Sequence, residues 1–385
     1  MTNDPRTAFA DPIPIKPSGS ANAVKIVFGV LAALIALLLG LIVLFLIGVE
    51  TGPVALLIGL VSATVPVPLY LVLILWIDRY EAEPAWMLTT AFFWGALVAV
   101  FFAFLINTAS RDVVHLLTHS ARAGRTFGAV ISAPIVEESA KALILFIFFF
   151  WKKDEFDGVI DGIVYAAMAG LGFAMTENIQ YYGNAVMEHG GGGLTFVFIL
   201  RGALAPFSHP MFTSLTGIGL GLARQSRNTA VKWIAPIMGL LAAIAMHSIW
   251  NGSGVLFGGI VWVLTYIVIM IPAFFLILVV IILALRREGQ IVREHLVADY
   301  QGGLLTQQEY DQLCTIRGRM GSTFNAFSRG GISQWQAARQ LNQIASELAF
   351  HRSRIARGIT AADAQEREAA YRRTLQDLLR RMRGN

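Results

Sequence analysis

The sequence predicts an all-α protein, namely a polytopic membrane helix bundle of about eight transmembrane helices with a small helical cytoplasmic tail. Of its 385 residues, 56% are hydrophobic and only 14% are charged, a balance outside the range of ordinary soluble domains. Apolar runs long enough to cross about 30 Å of hydrocarbon recur along the first three quarters of the chain. Eight such runs lie at 24–48, 53–76, 86–109, 128–150, 159–182, 196–223, 231–251 and 257–285.

The distribution of basic residues predicts the orientation of the bundle. With an even number of spans, both termini lie on one side, and that side carries eleven Lys and Arg residues against three on the other. Because Lys and Arg are enriched in cytoplasmic loops, both termini are expected in the cytoplasm. The eleven are Arg6, Lys16, Lys25, Arg79, Lys152, Lys153, Arg224, Arg227, Lys232, Arg286 and Arg287, and the three are Arg111, Arg122 and Arg125.

Composition divides the chain into three regions: a cytoplasmic N-terminal segment at 1–23, a membrane domain at 24–285 and a basic helical C-terminal region at 286–385. The last region holds sixteen Arg, no Lys and ten acidic residues, a net charge of +6. Its arginines are expected to face water or anionic lipid. No nucleic-acid partner is expected, since no binding motif accompanies the charge. The single cysteine, Cys314, excludes intramolecular disulfides and structural zinc sites built on several cysteines.

The fourth predicted span contains three ionisable residues, Glu137, Glu138 and Lys141. A charged group near the centre of a bilayer costs about 2.5–3.5 kcal/mol on insertion scales, so such residues usually face a bundle interior and have a function there. Glu137 and Lys141 are four residues apart with the acid first, the favourable order for a helical ion pair. The spacing therefore predicts that Lys141 neutralises Glu137.

Polar residues in three further spans are predicted to lie at a similar depth, in the outer half of the bilayer or near its middle. Alignment of acids, imidazoles and amides at one depth predicts a shared polar cavity that opens toward the extracytoplasmic side. Arg201 is expected to pair with Glu177 or to reach the outer interface. The residues concerned are Glu177 and Asn178 in the fifth span, Arg201 and His209 in the sixth, and His247 and Asn251 in the seventh.

The residue types in this cavity favour hydrolysis but leave other chemistry open. His247 and Asn251 are four residues apart on one helix face, so that one can activate a water while the other donates to a developing oxyanion. A proton-coupled transporter would use the same groups as a proton relay, and a membrane scaffold would keep them for folding. The histidines and carboxylates are compatible with zinc, but the chain has no HExxH motif, and no cofactor is expected.

The fifth span also has a stripe of small residues that repeats every four positions. Such a stripe allows close contact between helices. One interpretation is that it holds Glu177 rigidly against the fourth span, although plain packing of the bundle explains the stripe equally well. Its members are Gly158, Gly162, Ala166, Gly170 and Ala174.

Taken together, these residues resemble the PrsW-type intramembrane proteases, part of the larger group that includes the CAAX prenyl-protein proteases. The resemblance covers about residues 70–285 and leaves the first two spans and the tail outside. It rests on an EExxK motif at 137–141, a GFAxxEN motif at 172–178, His209, the pair His247-x-x-x-Asn251, and the loop Asp78-Arg79-Tyr80-Glu81-Ala82-Glu83-Pro84.

This resemblance implies an intramembrane protease that cleaves a single-span membrane protein, such as an anti-sigma factor, on its extracytoplasmic side. It implies that Glu137 or Glu138 activates the attacking water, with Glu137 favoured by the likeness to the prenyl-protein proteases. His247 would assist, and Asn251 and His209 would stabilise the tetrahedral oxyanion.

The other candidate residues are one further catalytic candidate, Glu177, and three residues around the site. Glu177 and Asn178 match the second acidic motif of the resembling family, and Glu177 is counted with the catalytic candidates. Lys141, Asn178 and Arg201 are expected to support the site from its surroundings. The expected partners are the lipid bilayer and a single-span membrane protein substrate, and the oligomeric state stays open.

Overall fold

A computed structural model of the protein describes residues 19–358 and 363–383. Within these ranges the chain forms α-helices joined by short turns and contains no β-strand, which confirms the predicted all-α class. Positions 1–18 of the predicted N-terminal segment, with Arg6 and Lys16, lie outside the described residues.

The helices in chain order are α1 (Gly19–Thr51), α2 (Pro53–Thr64), α3 (Val67–Ile77), α4 (Ala85–Phe93), α5 (Val100–Thr118), α6 (Ala121–Phe127), α7 (Ala133–Trp151), α8 (Val159–Phe198), α9 (Ser208–Gln225), α10 (Thr229–Phe257), α11 (Gly259–Thr265), α12 (Ile271–Gln301), α13 (Gln307–Leu313), α14 (Ile316–Ala356) and α15 (Ala364–Arg383). Four wider π-helical turns of the described chain follow directly on an α-helix, and three of them run straight into the next helix, whereas the one at Ile199–Leu204 is separated from α9 by a short turn at 205–207. The four turns lie at Trp94–Ala99, Gly128–Ser132, Ile199–Leu204 and Tyr266–Met270.

Six helical segments of the described chain are long and apolar enough to cross a membrane, where the sequence predicted about eight. The predicted fourth span is helical, as α7 and the turn before it, but its three ionisable residues take it outside this set. The predicted fifth and sixth spans both fall within one continuous apolar segment. The six segments are Ile26–Thr51, Pro53–Ile77, Ala85–Thr118, Val159–Gln225, Thr229–Phe257 and Gly259–Gln301.

Helix α8 is the buried centre of the bundle and lies against α9 with backbone contact. A methyl group on Gly162 would lie 2.1 Å from the carbonyl oxygen of Gly217, and one on Gly217 would lie 2.0 Å from that of Gly162. No Cβ atom fits at either position. At Gly170, an added methyl would lie 2.7 Å from the backbone nitrogen of Pro210, also in α9. The small-residue stripe thus fixes α8 against α9, and the interpretation that it packs on the fourth span is wrong.

The C-terminal helices rest on one end of the bundle, formed by loops 78–84 and 152–158, which we call the tail face. Helix α12 continues out of the bundle, α13 and α14 pack against its extension, and α15 packs against α14. Arg354 of α14 donates to Glu81 at 2.7 Å, and Arg357 donates to Asp157 at 2.7 Å. These ion pairs attach the C-terminal region to the membrane domain.

Asp78 at the tail face directly follows α3 and is 6% exposed. Its Oδ2 accepts a hydrogen bond from the Glu83 backbone N–H at 2.8 Å, whereas its Oδ1 has no hydrogen-bond partner in the part of the chain that the structure describes. Burial raises the pKa of Asp78 to about 7, against the lowering effect of the Glu83 N–H. Burial likewise raises the pKa of Glu83 well above its ordinary value.

We expect stability to fall as the pH rises from about 4 through about 7. Over this window the unfolded chain has released the proton of Asp78 while the folded protein still holds it, so each increase in pH favours unfolding. Asp78 alone accounts for at most about 4 kcal/mol of this change. Asp78→Asn keeps an acceptor for Glu83 and should flatten the dependence of the thermal midpoint on pH. The exposed Asp112→Asn is the control, and equal slopes in both variants would contradict the assignment.

Candidate active site

Glu138 accepts hydrogen bonds from three side chains on three helices. Its Oε1 accepts from Lys141 Nζ at 2.6 Å and from His247 Nδ1 at 3.0 Å, and its Oε2 accepts from Thr213 Oγ1 at 2.9 Å. The predicted pair of Glu137 with Lys141 is therefore wrong, because the lysine pairs with the acid three residues before it. Thr213 of α9 and His247 of α10 bind the Glu138 carboxylate in the interior of the bundle, and Lys141 pairs with this fully buried carboxylate.

Glu137 has a different environment. Its Oε1 accepts from Asn107 Nδ2 of α5 at 3.4 Å, and Asn107 in turn accepts from Ser132 Oγ at 2.8 Å. Its Oε2 is buried and has no hydrogen-bond partner among the described residues. This oxygen lies 3.9 Å from Nε2 of His247. Of the two adjacent glutamates, Glu137 is the one with an oxygen left for a ligand.

The hydrogen bond of His247 to Glu138 fixes the tautomer of the neutral ring. A carboxylate only accepts, so Nδ1 carries the proton that is donated to Glu138, and the lone pair of Nε2 points toward Glu137. Two acceptor atoms thus face each other across 3.9 Å. This pair of atoms can bind a water molecule that donates a hydrogen bond to each of them, or a cation that both of them coordinate.

The turn that leads into α7 places these carboxylates. Within Gly128–Ser132 the chain is π-helical, and the N–H of Ala133 donates to the carbonyl of Gly128, five residues back. Pro134 follows, and since proline has no N–H it cannot restore the ordinary bond four residues back. Such turns are frequent at functional sites. Here the turn ends at Ser132, which bonds the asparagine that holds Glu137.

A second acid–histidine group lies beside the first. His209 Nε2 is 2.9 Å from Glu177 Oε2, and His209 Nδ1 is 3.1 Å from Lys141 Nζ. Lysine only donates, so Nδ1 of His209 accepts and its Nε2–H donates to Glu177. Lys141 therefore bonds both Glu138 and His209 and joins the two groups.

Arg201 completes this second group. Its Nη2 donates to Glu177, which confirms the predicted ion pair, and its Nε donates to Asn178 Oδ1 at 2.6 Å. The guanidinium also lies 3.7 Å from the ring centre of Tyr181, close enough for a cation–π contact. The structure thus brings seven of the nine predicted residues into one hydrogen-bonded set, and Arg201 holds the acidic motif of α8 in place.

Two predicted residues are not hydrogen-bonded to that set: Glu137, which lies 3.9 Å from His247, and Asn251. Asn251 Nδ2 donates to the carbonyl of Ala129 at 2.9 Å, which uses one of its two N–H groups. Asn251 lines a cavity of about 300 Å³ beside the site. Other lining residues are Asn178, Tyr181, Arg201, His209, Trp250 and Trp262.

The residues present also fit a divalent metal ion. Glu137, His209 and His247 each offer one ligand atom, and these atoms lie within 4.8 Å of one another. Two histidines and one glutamate are a known ligand set of catalytic zinc. The unpartnered oxygen of Glu137 and the Nε2 of His247 are oriented as ligands, whereas His209 would exchange its hydrogen bond to Glu177 or to Lys141. The expectation of a cofactor-free site stays a prediction.

Sequence reasoning missed three residues that touch the carboxylates directly or through one neighbour: Asn107, Ser132 and Thr213. Asn107 is the amide near the outer end of the predicted third span, at the depth of the other polar residues, and the depth criterion applied to that span would have found it. Thr213 lies four residues after His209, on the same face of α9, so helical spacing would have indicated it.

The fold and the site define a multi-pass membrane protein with a buried acid–histidine centre, and comparison with known proteins gives the family. A family model described as "PrsW family intramembrane metalloprotease" matches residues 83–277. The chain belongs to this family and is a membrane protease. No solved structure matches the chain significantly.

Three curated relatives, each named Protease PrsW, support this assignment. The chain is 31% identical over 177 residues to that of Bacillus subtilis (strain 168), covering 46% of this chain and 71% of the relative. It is 32% identical over 147 residues to that of Geobacillus kaustophilus (strain HTA426), covering 38% and 58%. The protein of Oceanobacillus iheyensis is 28% identical over 193 residues, covering 50% of this chain and 81% of the relative.

Proposed function

We propose that this protein hydrolyses a peptide bond of a single-span membrane protein, with Glu137 and His247 holding and activating the attacking water. The proposal rests on one observation above all: Oε2 of Glu137 and Nε2 of His247 face each other at 3.9 Å in a buried site. A water that donates to both atoms has its oxygen lone pairs free to attack a carbonyl carbon.

In the proposed reaction, Glu137 takes a proton from the water while the water oxygen bonds to the scissile carbonyl carbon. His247 is held in the required tautomer by Glu138, whose charge is balanced by Lys141. The carbonyl oxygen becomes an oxyanion, which the second N–H of Asn251 stabilises from the wall of the cavity. Glu137 then returns its proton to the leaving amine as the C–N bond breaks.

A metal ion, which the family description implies, would be held by Glu137, His209 and His247. The chemistry that such an ion supplies when bound is Lewis-acid activation of water and of the carbonyl oxygen. Glu138 and Glu177 would then orient the two histidines through their other ring nitrogens, the arrangement usual for metal-bound imidazoles.

We further propose that cleavage occurs on the extracytoplasmic side, with both termini in the cytoplasm. Glu138 lies 13 residues before the end of α7 at Trp151, or about 20 Å from the tail face. The excess of basic residues at the tail side favours the cytoplasm for that side. A membrane-anchored protein such as an anti-sigma factor is then the candidate substrate.

Reconstitution with a single-span reporter protein tests this function. The purified protein in liposomes should cut the reporter at one site, located by mass spectrometry, on the side opposite its C-terminal helices. His247→Gln should reduce the rate about 100-fold or more, whereas His115→Gln, an exposed position on α5, should leave it unchanged. Equal rates for both variants would contradict the proposed role. A chelator arm, with metal content measured in parallel, tests the expectation of a cofactor-free site.

A further inference from the structure

The first part of α14 carries large apolar side chains that no other part of the described chain covers. Met320, Phe324 and Phe327 recur at the spacing of one helix face, and Phe324 is 69% exposed. Ile332 follows beyond a break and is 66% exposed. These residues lie outside the six apolar segments that suit the bilayer interior, so insertion of a spanning helix does not account for them.

The same stretch is basic and free of acids. Between Asp311 and Glu347 the chain contains no Asp or Glu and has four arginines. Three of the four are exposed, and two of these, Arg317 and Arg329, lie in the same stretch of helix as the apolar residues. The four are Arg317, Arg319, Arg329 and Arg339, of which Arg319 is the buried one. A helix with an apolar face and arginines beside it is the type that lies in the interface of a membrane.

Contacts of Arg319 place the start of α14 beside the loop that follows α3, at the end of the second apolar segment. Its guanidinium lies 4.2 Å from the ring centre of Tyr80, and its Nη1 donates to the carbonyl of Arg79 at 3.5 Å. Both residues follow immediately after α3, which ends at Ile77. Phe324 is five residues beyond Arg319, about 7.5 Å along the helix axis. The apolar face therefore begins at the level where the membrane helices end.

The far end of α14 returns to the same face. Arg354 bonds Glu81 at 2.7 Å, in the loop that contains Tyr80. Between the two attachments the helix is broken at Gly331, where φ is +64°. The two arms of α14 thus leave the tail face and return to it. The first arm, Ile316–Arg329, is attached to the tail face at its beginning.

We propose that the first arm of α14 lies in the headgroup region of the leaflet at the tail face, with Phe324 and Phe327 inserted between lipids and Arg317 and Arg329 bound to the phosphates of anionic lipids. The bilayer is the occupant because it is present wherever this protein is folded and meets the tail face directly. Charge complementarity supports anionic lipid, since the arm offers arginines and no acid. This inference does not depend on the proposed protease activity.

Fluorescence quenching in nanodiscs tests the proposal with the full chain. In a Cys314→Ser background, a fluorophore is attached at Ser328→Cys, four residues after Phe324 on the same face. The matched control carries the fluorophore at Asp377→Cys, an exposed site on α15. That helix bonds Asp299 and Leu304 through Arg372 and Arg383, at the end of α12 farthest from the bundle.

We expect lipids with a spin label near the headgroup to quench the fluorophore at 328 several-fold more strongly than the one at 377. Phosphatidylglycerol should strengthen quenching at 328 relative to phosphatidylcholine alone, and Arg317→Gln combined with Arg329→Gln should remove that difference. Equal quenching at the two positions overturns the proposal. Quenching at 328 that follows the number of protein copies in each disc, and does not follow lipid charge, overturns it in favour of a second copy as the occupant.

Discussion

Glu137→Gln should abolish peptide-bond hydrolysis while leaving the protein folded. The substitution keeps the size of the side chain and removes the group that takes a proton from the attacking water, a role that contributes about 100- to 10,000-fold to a rate. Because Oε2 of Glu137 has no hydrogen-bond partner in the described chain, the fold loses little when the charge is removed. The rate of reporter cleavage and the thermal midpoint are measured on the same preparation.

The control for this variant is Glu188→Gln, since the Glu188 side chain is 71% exposed in α8 and lies outside the site. It should cleave at the rate of the unsubstituted protein. If Glu137→Gln retains a rate within a few-fold of that control, the proposed role of Glu137 is wrong. If it loses both activity and thermal stability, the position is structural.

Glu138→Gln, unlike Glu137→Gln, should cause a large loss of stability as well as a loss of activity. The side chains of Glu138 and Lys141 are both 0% exposed and form an ion pair at 2.6 Å. Removal of one partner from a buried pair leaves an uncompensated charge and costs about 3–5 kcal/mol. The thermal midpoint in detergent should therefore fall by far more than for Glu137→Gln.

A double variant separates the two effects of Glu138. Glu138→Gln combined with Lys141→Met removes both charges, and replacement of a whole buried pair is often neutral. We expect the thermal midpoint to recover and the activity to stay low, because His209 has lost its donor and His247 its charged partner. A single Glu138→Gln variant that unfolds at the same temperature as the unsubstituted protein would contradict the ion-pair argument.

The sequence predicted the composition of the site better than its internal bonds. Depth alone brought Glu177, His209 and His247 to the level of the two adjacent glutamates, and the structure joins them by hydrogen bonds. The depth of a residue in the membrane can be predicted from the sequence because a helical span advances about 1.5 Å per residue from its boundary. Depth also left two alternatives for Arg201, an ion pair with Glu177 or a position at the outer interface, and the structure has the ion pair.

The ion-pair partner of Lys141 could not be predicted from the sequence in the same way. Positions three and four residues before a lysine are both within its reach on a helix. The choice of Glu138 depends on Thr213 and His247, which come from other helices and are 75 and 109 residues away in the chain. Local spacing contains no information about such partners. The π-helical turns escaped prediction for a related reason, because an apolar run has the same composition with or without one.

The contact of Gly162 with Gly217 has a consequence for genetics. Gly162 lies 15 residues before Glu177, about 22 Å along α8, and Gly217 lies eight residues after His209, about 12 Å along α9. A side chain at either glycine must push the two helices apart, and the acid and the histidine would separate with them. In a selection for inactive mutants, these two codons would appear alongside those of the reacting residues. The positions of inactivating mutations would therefore extend beyond the residues that take part in the reaction.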